Sequence, residues 1–318
     1  MRKIVSLANN TSEPSYETAV FSQLSDVEYI KATAKGDAAV IEALKDAEVV
    51  LFTGTDLNRH VIENLEKCRL MVRYGIGYDT VDLEAAKQKG IYVCNSPKYG
   101  VIDVAEHALA LLFAAARRIA EMHGQMRSNS WCESACGVRL AGKTIGFVGF
   151  GSIGQAVCQR TNACQMRPLV YDPYVSDEVL SSLGAQRVSL DALLENADFI
   201  TCHAPLNADT YHMLGAAQFR KMKNTAILVN TSRGGIIDEA ALVDALLNKE
   251  LAGVGLDVFE KEGCNQIDPR LLQAPNAVLT PHSAWNTPDA ADSLHREVVD
   301  NVVRYLRGER PQSIVNGL

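Results

Sequence analysis

Three short segments of the chain carry side chains suited to binding a carboxylate and moving a proton. Asn230-Thr231-Ser232-Arg233-Gly234-Gly235 follows an apolar run, so Arg233 is expected at the carboxyl end of a parallel strand, facing the crevice where such sheets bind ligands. Its planar guanidinium matches a carboxylate bidentately, which would fix the bound acid in one orientation. Leu279-Thr280-Pro281-His282 places a histidine just after a strand and a proline, a rigid mount for a general acid. A neighbouring carboxylate would favour the imidazolium and keep that acid loaded. Glu262, in a loop after Gly255-Leu256-Asp257-Val258-Phe259, is the candidate partner. Arg233, Glu262 and His282 are thus the candidate catalytic set, with Arg233 and His282 the two that would touch the bound acid.

The cofactor is readable from a glycine pattern. Gly149-x-Gly151-x-x-Gly154 comes directly after the apolar run Thr144–Phe150. Gly149 permits a tight turn, Gly151 lets backbone approach a pyrophosphate, and Gly154 allows close helix–strand packing. The helix that starts at Ser152 and Ile153 presents free N–H groups to phosphate. A second strand ends at Asp172, 18 residues beyond Gly154. A carboxylate there accepts from both ribose hydroxyls of an adenosine and repels a 2′-phosphate, so NAD is expected and NADP disfavoured. Asp257, at another strand end, is placed to accept from a nicotinamide carboxamide.

Elements that position these groups alternate along the whole chain. Strands are expected at Lys3–Ala8, Val49–Thr53, Leu70–Tyr74, Ile91–Asn95, Thr144–Phe150, Leu169–Asp172, Phe199–His203, Ala226–Asn230, Gly253–Val258 and Ala277–Thr280. Segments of helical spacing, such as Asp103–Glu121 and Glu239–Asn248, lie between them. The pattern predicts an α/β chain of two doubly wound parallel sheets, Rossmann-like, with a cleft between domains. Turn-rich seams at residues 95–100 and 286–288 enclose the fingerprint. They predict a discontinuous domain of residues 1–99 plus 287–318, and an NAD-binding domain of residues 100–286.

Length and composition agree with that layout. The 318 residues are 47% hydrophobic and 22% charged, the balance of a globular protein. A net charge of −7 argues against nucleic acid as a partner, yet leaves room for an anionic small substrate held by local arginines. The amino-terminal apolar run soon meets Asn9, Asn10 and Thr11, so no secretory leader is read. The longest apolar segment, residues 108–116, is too short to span a membrane. Eight cysteines scattered through apparent strands and helices suggest reduced thiols in a cytoplasm. Cys132 and Cys136, the one close pair, lack a second Cys/His pair, and no metal is expected.

These motifs, in this order, resemble the D-isomer-specific 2-hydroxyacid dehydrogenase family, and the resemblance covers nearly the whole chain. It implies NAD-dependent hydride transfer at C2 of a small 2-hydroxy or 2-keto acid. Arg233 would bind the carboxylate, Glu262 orient the histidine, and His282 act as acid/base. It also implies cofactor contacts at Ser152, Ile153, Asp172, Ala204, Thr231, Arg233 and Asp257, with residues 282–285 near the nicotinamide. Arg73, Tyr74, Gly75, Ile76 and Gly77 match the family loop whose N–H groups meet the substrate carboxylate. Arg73 suits either a second anionic group of a phosphorylated acid or a structural ion pair. Asn129-Ser130-Trp131 resembles an arm that builds a homodimer. Where the family usually has proline after its glutamate, this chain has Gly263, so a looser loop is expected. Arg73–Asp79, Val93–Asn95 and Pro281–Trp285 also resemble the carboxy-terminal-binding protein branch. The alternative implied there is an NAD-sensing corepressor that docks peptides. A relative oxidising formate or phosphite is a further alternative, against which the His–Glu pair argues.

Overall fold

Runs without a polar side chain, such as residues 145–148 within Thr144–Val148 and 227–229 within Ile227–Asn230, need cover on both faces. In a computed structural model of the chain both are strands with every residue buried. The structure describes residues 1–7, 15–131 and 136–318. The chain divides into two compact units, Met1–Gly100 with Thr287–Leu318, and Val101–Asn286.

The first unit opens with β1 (Arg2–Ser6), α1 (Tyr16–Phe21), β2 (Val27–Lys31), α2 (Asp37–Leu44) and β3 (Val49–Phe52). It continues with α3 (Arg59–Glu63), β4 (Leu70–Arg73), α4 (Leu83–Gln88) and β5 (Tyr92–Cys94). The second unit begins with α5 (Val101–Ala116), α6 (Ile119–Arg127), β6 (Thr144–Val148), α7 (Ser152–Ala163) and β7 (Arg167–Tyr171). Then come α8 (Asp177–Ser182), β8 (Gln186–Arg187), α9 (Leu190–Asn196), β9 (Phe199–Cys202) and α10 (Ala216–Phe219). It ends with β10 (Ile227–Asn230), a 3-10 turn at Gly234–Ile236, α11 (Glu239–Leu247), β11 (Gly253–Leu256), α12 (Pro269–Leu272) and β12 (Ala277–Leu279). The last helix, α13 (Pro288–Leu306), belongs to the first unit again.

Both sheets are parallel throughout their named strands. The first has the order β2-β1-β3-β4-β5, the flavodoxin-like doubly wound arrangement. The second has β12-β11-β10-β9-β6-β7-β8, the Rossmann order with one added edge strand. Strands β7 and β8 are added on one side of β6 and β9 to β12 on the other, so the turn after β6 opens at the switch point where such sheets take ligands. Gly146 makes one central packing contact possible, since a Cβ there would lie 2.4 Å from the Leu193 side chain.

Two differences from the sequence expectation have local causes. The segment Asp103–Glu121 is two helices, because Arg118 adopts a left-handed φ of 52° and the Ala116 carbonyl accepts from Val138 instead of continuing the helix. Strands β2 and β8 carry no apolar run: all five residues of β2 are at least partly exposed, and β8 is two residues at an exposed edge. The other edge of the first sheet is closed by Asn316, whose amide accepts from Val93 N–H and donates to the Ile91 carbonyl like a short strand.

Within the first unit α13 is pinned by Thr287, which caps it, and by Pro288 in its first turn. It packs on α1 and β4 through residues including Leu294, Val298 and Val302. A polar bond locks the same three elements. The Glu17 carboxylate, 1% exposed, accepts from the Tyr74 hydroxyl at 2.7 Å and lies 2.5 Å from His295 Nδ1. Burial raises the Glu17 pKa, but the bonds from His295 and Tyr74 outweigh it and hold the group below its ordinary value. Burial, with the Glu17 charge, pushes the Tyr74 phenol far up.

Replacing Glu17 with Gln should therefore cost about 1–3 kcal/mol in urea unfolding at pH 7. Because the folded pKa is depressed, the contribution is full above the unfolded value of about 4.3 and is lost as pH falls through the folded one. The gap between wild type and variant should close in acid; a gap unchanged down to pH ~3 would refute the assignment.

Candidate active site

The glycine turn of the second unit leaves a cradle for a phosphorylated ligand. Gly149 has φ 88°, and a Cβ there would sit 2.5 Å from the Ala204 backbone nitrogen. Gly151 caps α7 with no side chain, and a Cβ added to it would meet nothing within 4 Å. The first N–H groups of this 12-residue helix are therefore uncovered donors at a positive dipole end. At the end of β10, the Thr231 hydroxyl is buried and has no partner among the described residues. An open turn and an uncapped helix after β6, with an orphaned hydroxyl after β10 on the far side of β9, fit a bound dinucleotide.

Asp172 ties this turn to the next strand. Its Oδ2 accepts from Phe150 N–H at 2.7 Å, while Oδ1 accepts from Tyr174 and Val175 N–H at 2.7 and 3.2 Å. A basic side chain from β8 reaches the turn that follows β7. Arg187 donates to the Asp172 and Val175 carbonyls and to Asp177. Beneath the glycines, burial lowers the His203 pKa to about 3, so a neutral ring bonded to Thr201 packs there.

Arg233 owes its place to a buried amide. Asn230, with no exposed surface, accepts from the N–H and hydroxyl of Ser232 and donates to the Arg233 carbonyl at 2.9 Å. Gly234 follows because nothing larger fits: a Cβ would lie 1.9 Å from the Phe259 carbonyl carbon. The Arg233 loop and the loop that carries Glu262 thus share one packed seam. Reciprocal bonds reinforce it, from Glu239 N–H to the Glu260 carboxylate at 2.9 Å and from Glu260 N–H to the Glu239 carboxylate at 3.2 Å. Gly263, for which a looser loop was expected, has φ 127°, and the loop before it is held by these bonds.

His282 and Glu262 are in contact. The imidazole Nδ1 lies 2.7 Å from Glu262 Oε2, and both side chains are about half exposed. Partial burial raises the Glu262 pKa, but the His282 bond, the imidazole charge, the Phe259 N–H and the Arg233 charge together bring it below the ordinary range. With Nδ1 engaged, Nε2 is the ring atom left to exchange a proton with a ligand. His282 has a left-handed φ of 51°, held by bonds from its N–H to the Asp257 and Thr280 carbonyls.

Asp257 does more than its strand-end position suggested. Its carboxylate is buried and accepts from the Thr280 hydroxyl at 2.6 Å and from Ser283 and Ala284 N–H at 2.9 Å. His107, on α5, completes the cluster: Nε2 is 2.9 Å from the Thr280 hydroxyl and 3.6 Å from Asp257. Asn230, Thr280 and His107 were not singled out from sequence, and His107 could hardly have been, since it sits in an apolar run that reads as core.

The first unit holds the other expected loop. After β4, the carbonyls of Arg73, Gly75 and Ile76 are taken by Ser96 and Asn95, and Gly75 has φ 142°. An Arg73 N–H donates to the Thr53 carbonyl. The seven described cysteines are free thiols, and no group of three or more metal-binding side chains occurs among the described residues. Cys132 lies outside them.

Known proteins similar to the chain include several oxidoreductases. The family described as "D-isomer specific 2-hydroxyacid dehydrogenase, NAD binding domain" matches residues 109–284. A glyoxylate reductase of Korarchaeum cryptofilum is 41% identical over 283 residues, 87% of this chain and 85% of that protein. A D-3-phosphoglycerate dehydrogenase of Methanocaldococcus jannaschii is 39% identical over 96% of this chain, which spans only 58% of its length. Among solved structures, an acyclic imino acid reductase in complex with NADPH and D-Arg is 29% identical, covers 98% of this chain and 99% of its own, and has a TM-score of 0.89.

The cradle makes a direct prediction. Gly149→Ala should cost about 1–3 kcal/mol of stability through overpacking and strain, and should weaken NADH binding measured by fluorescence. Unaltered affinity would mean that this turn does not carry the phosphates.

Proposed function

Because the chain belongs to the D-isomer specific 2-hydroxyacid dehydrogenase family, we propose that Arg233, His282 and Glu262 carry out NAD-dependent interconversion of a small 2-keto acid and its D-2-hydroxy acid. The observation that carries this reading is the 2.7 Å contact between His282 and Glu262, with the Arg233 charge felt at the same carboxylate. The bound nicotinamide supplies or accepts the hydride. Arg233 anchors the substrate carboxylate, which sets the orientation of C2. His282, its Nδ1 held by Glu262, gives a proton from Nε2 to the carbonyl oxygen on reduction and takes one from the hydroxyl on oxidation. Ser152, Ile153, Gly154, Ala204 and Thr231 line the dinucleotide.

Asp172 supports a preference for NAD over NADP, since a 2′-phosphate would meet its carboxylate. The Arg187 guanidinium, engaged by two carbonyls and Asp177, is held back from that phosphate. We place the subunit contact of a homodimer on the second unit, where Ile119, Met126 and Trp131 expose apolar surface, the last 78% exposed. Free thiols in the described residues support a cytoplasmic setting, and no described helix is long and apolar enough to cross a membrane.

The reading is tested by NADH oxidation with glyoxylate, pyruvate, hydroxypyruvate and its phosphate ester. Turnover with at least one is expected; tight NADH binding without turnover on any would refute it. His282→Ala should lower kcat by about 10²–10⁴-fold and leave NADH affinity nearly intact. Arg73→Ala should raise KM for the phosphate ester alone; an unchanged KM would remove Arg73 from a phosphate-binding role.

A further inference from the structure

Around the acid/base histidine the chain is wound on a charge that no solvent reaches. The segment from Thr280 to Ala284 makes three bonds to the buried Asp257 carboxylate, and the His282 N–H bonds to the Asp257 main chain. The Thr280 hydroxyl has one proton, and it is given to Asp257 at 2.6 Å. Toward His107, 2.9 Å away, the same oxygen must therefore accept, which assigns the proton on His107 to Nε2. The His107 side chain is 25% exposed, and it comes from α5, which packs against β10, β11 and β12. It thus enters the cluster from an element that carries none of the proposed catalytic groups.

We infer that His107 is a positioning residue for catalysis: its Nε2–H fixes the Thr280 hydroxyl on Asp257, and that bond sets the 280–284 turn on which His282 stands in its left-handed conformation. The inference rests on the acid/base reading of His282. Without the His107 donor, the Thr280 hydroxyl is free to rotate away from Asp257, and the buried carboxylate loses one of its three donors. The turn then relaxes, and the imidazole no longer meets Glu262 and the substrate together. Displacement of a reacting group by about 1 Å is enough to cost up to ~10²-fold in rate. The glycine cradle is built from other residues, so cofactor binding should be spared.

The test compares His107→Phe, which removes the donor, with His107→Gln, which offers an amide N–H at similar reach. Both are made in the full chain and assayed with the best 2-keto acid of the panel. His107→Phe should lower kcat by about 10- to 100-fold while the NADH dissociation constant stays within about threefold; His107→Gln should recover most of the loss. A kcat within about twofold of wild type in His107→Phe, a parallel loss of NADH affinity, or no recovery in His107→Gln would overturn the inference. If His107→Phe does not fold, Thr280→Val and Thr280→Ser give the same contrast, with the hydroxyl absent and retained. His282→Ala separates the two readings. Activity surviving in it removes the acid/base assignment itself, whereas an inactive His282→Ala beside a normal His107→Phe removes only the role of His107.

Discussion

The Asp257 carboxylate lies at the end of β11 with no exposed surface, and the turn that follows β12 closes over it. Taking a carboxylate out of water costs several kcal/mol unless hydrogen bonds replace the lost hydration. The replacement donors all come from residues 280–284, so that turn cannot loosen without exposing or stranding the charge. This is why a non-glycine residue can hold φ 51° at position 282. The surroundings over-determine the strained backbone, and the imidazole is kept beside Glu262.

A second constraint is the absence of room at two glycines. At Gly234 the Arg233 loop meets the Phe259 carbonyl, and at Gly149 the phosphate turn meets Ala204. Each contact joins neighbouring strand ends, so β6, β9, β10 and β11 deliver their loops as one assembly. Reciprocal bonding between Glu239 and Glu260 does for the Glu262 loop what a ring in the backbone would do at position 263. Glu239 itself is held above its ordinary pKa by burial, with the nearby Glu260 charge adding to the effect.

Much of this was legible from residue order. The apolar runs at 144–148, 199–202 and 227–230 announce strands covered on both faces, and the fingerprint after the first of them announces the cofactor turn. Arg233 and His282 stand out as candidates because each follows a strand, and strand ends in parallel sheets face ligands. What stayed hidden depends on contacts between distant positions. Glu17 and His295 are 278 residues apart, and nothing in either neighbourhood signals the other. Arg187 approaches Asp172 only because β8 lies beside β7, and β8 is too short and polar to show a periodicity. His107 lies among alanines and leucines, where spacing reads as packing. The break at Arg118 was missed because helical spacing persists through it, while the turn depends on one left-handed residue.

The split of the first unit has a consequence for biosynthesis. Residues 101–286 are contiguous and leave the ribosome before α13 does, so the second unit can complete its core while the first still lacks a helix. Until α13 arrives, the faces of α1 and β4 that it covers stay open, and Glu17 and Tyr74 wait for His295. Closure of the first unit thus waits on a helix made only after the whole second unit.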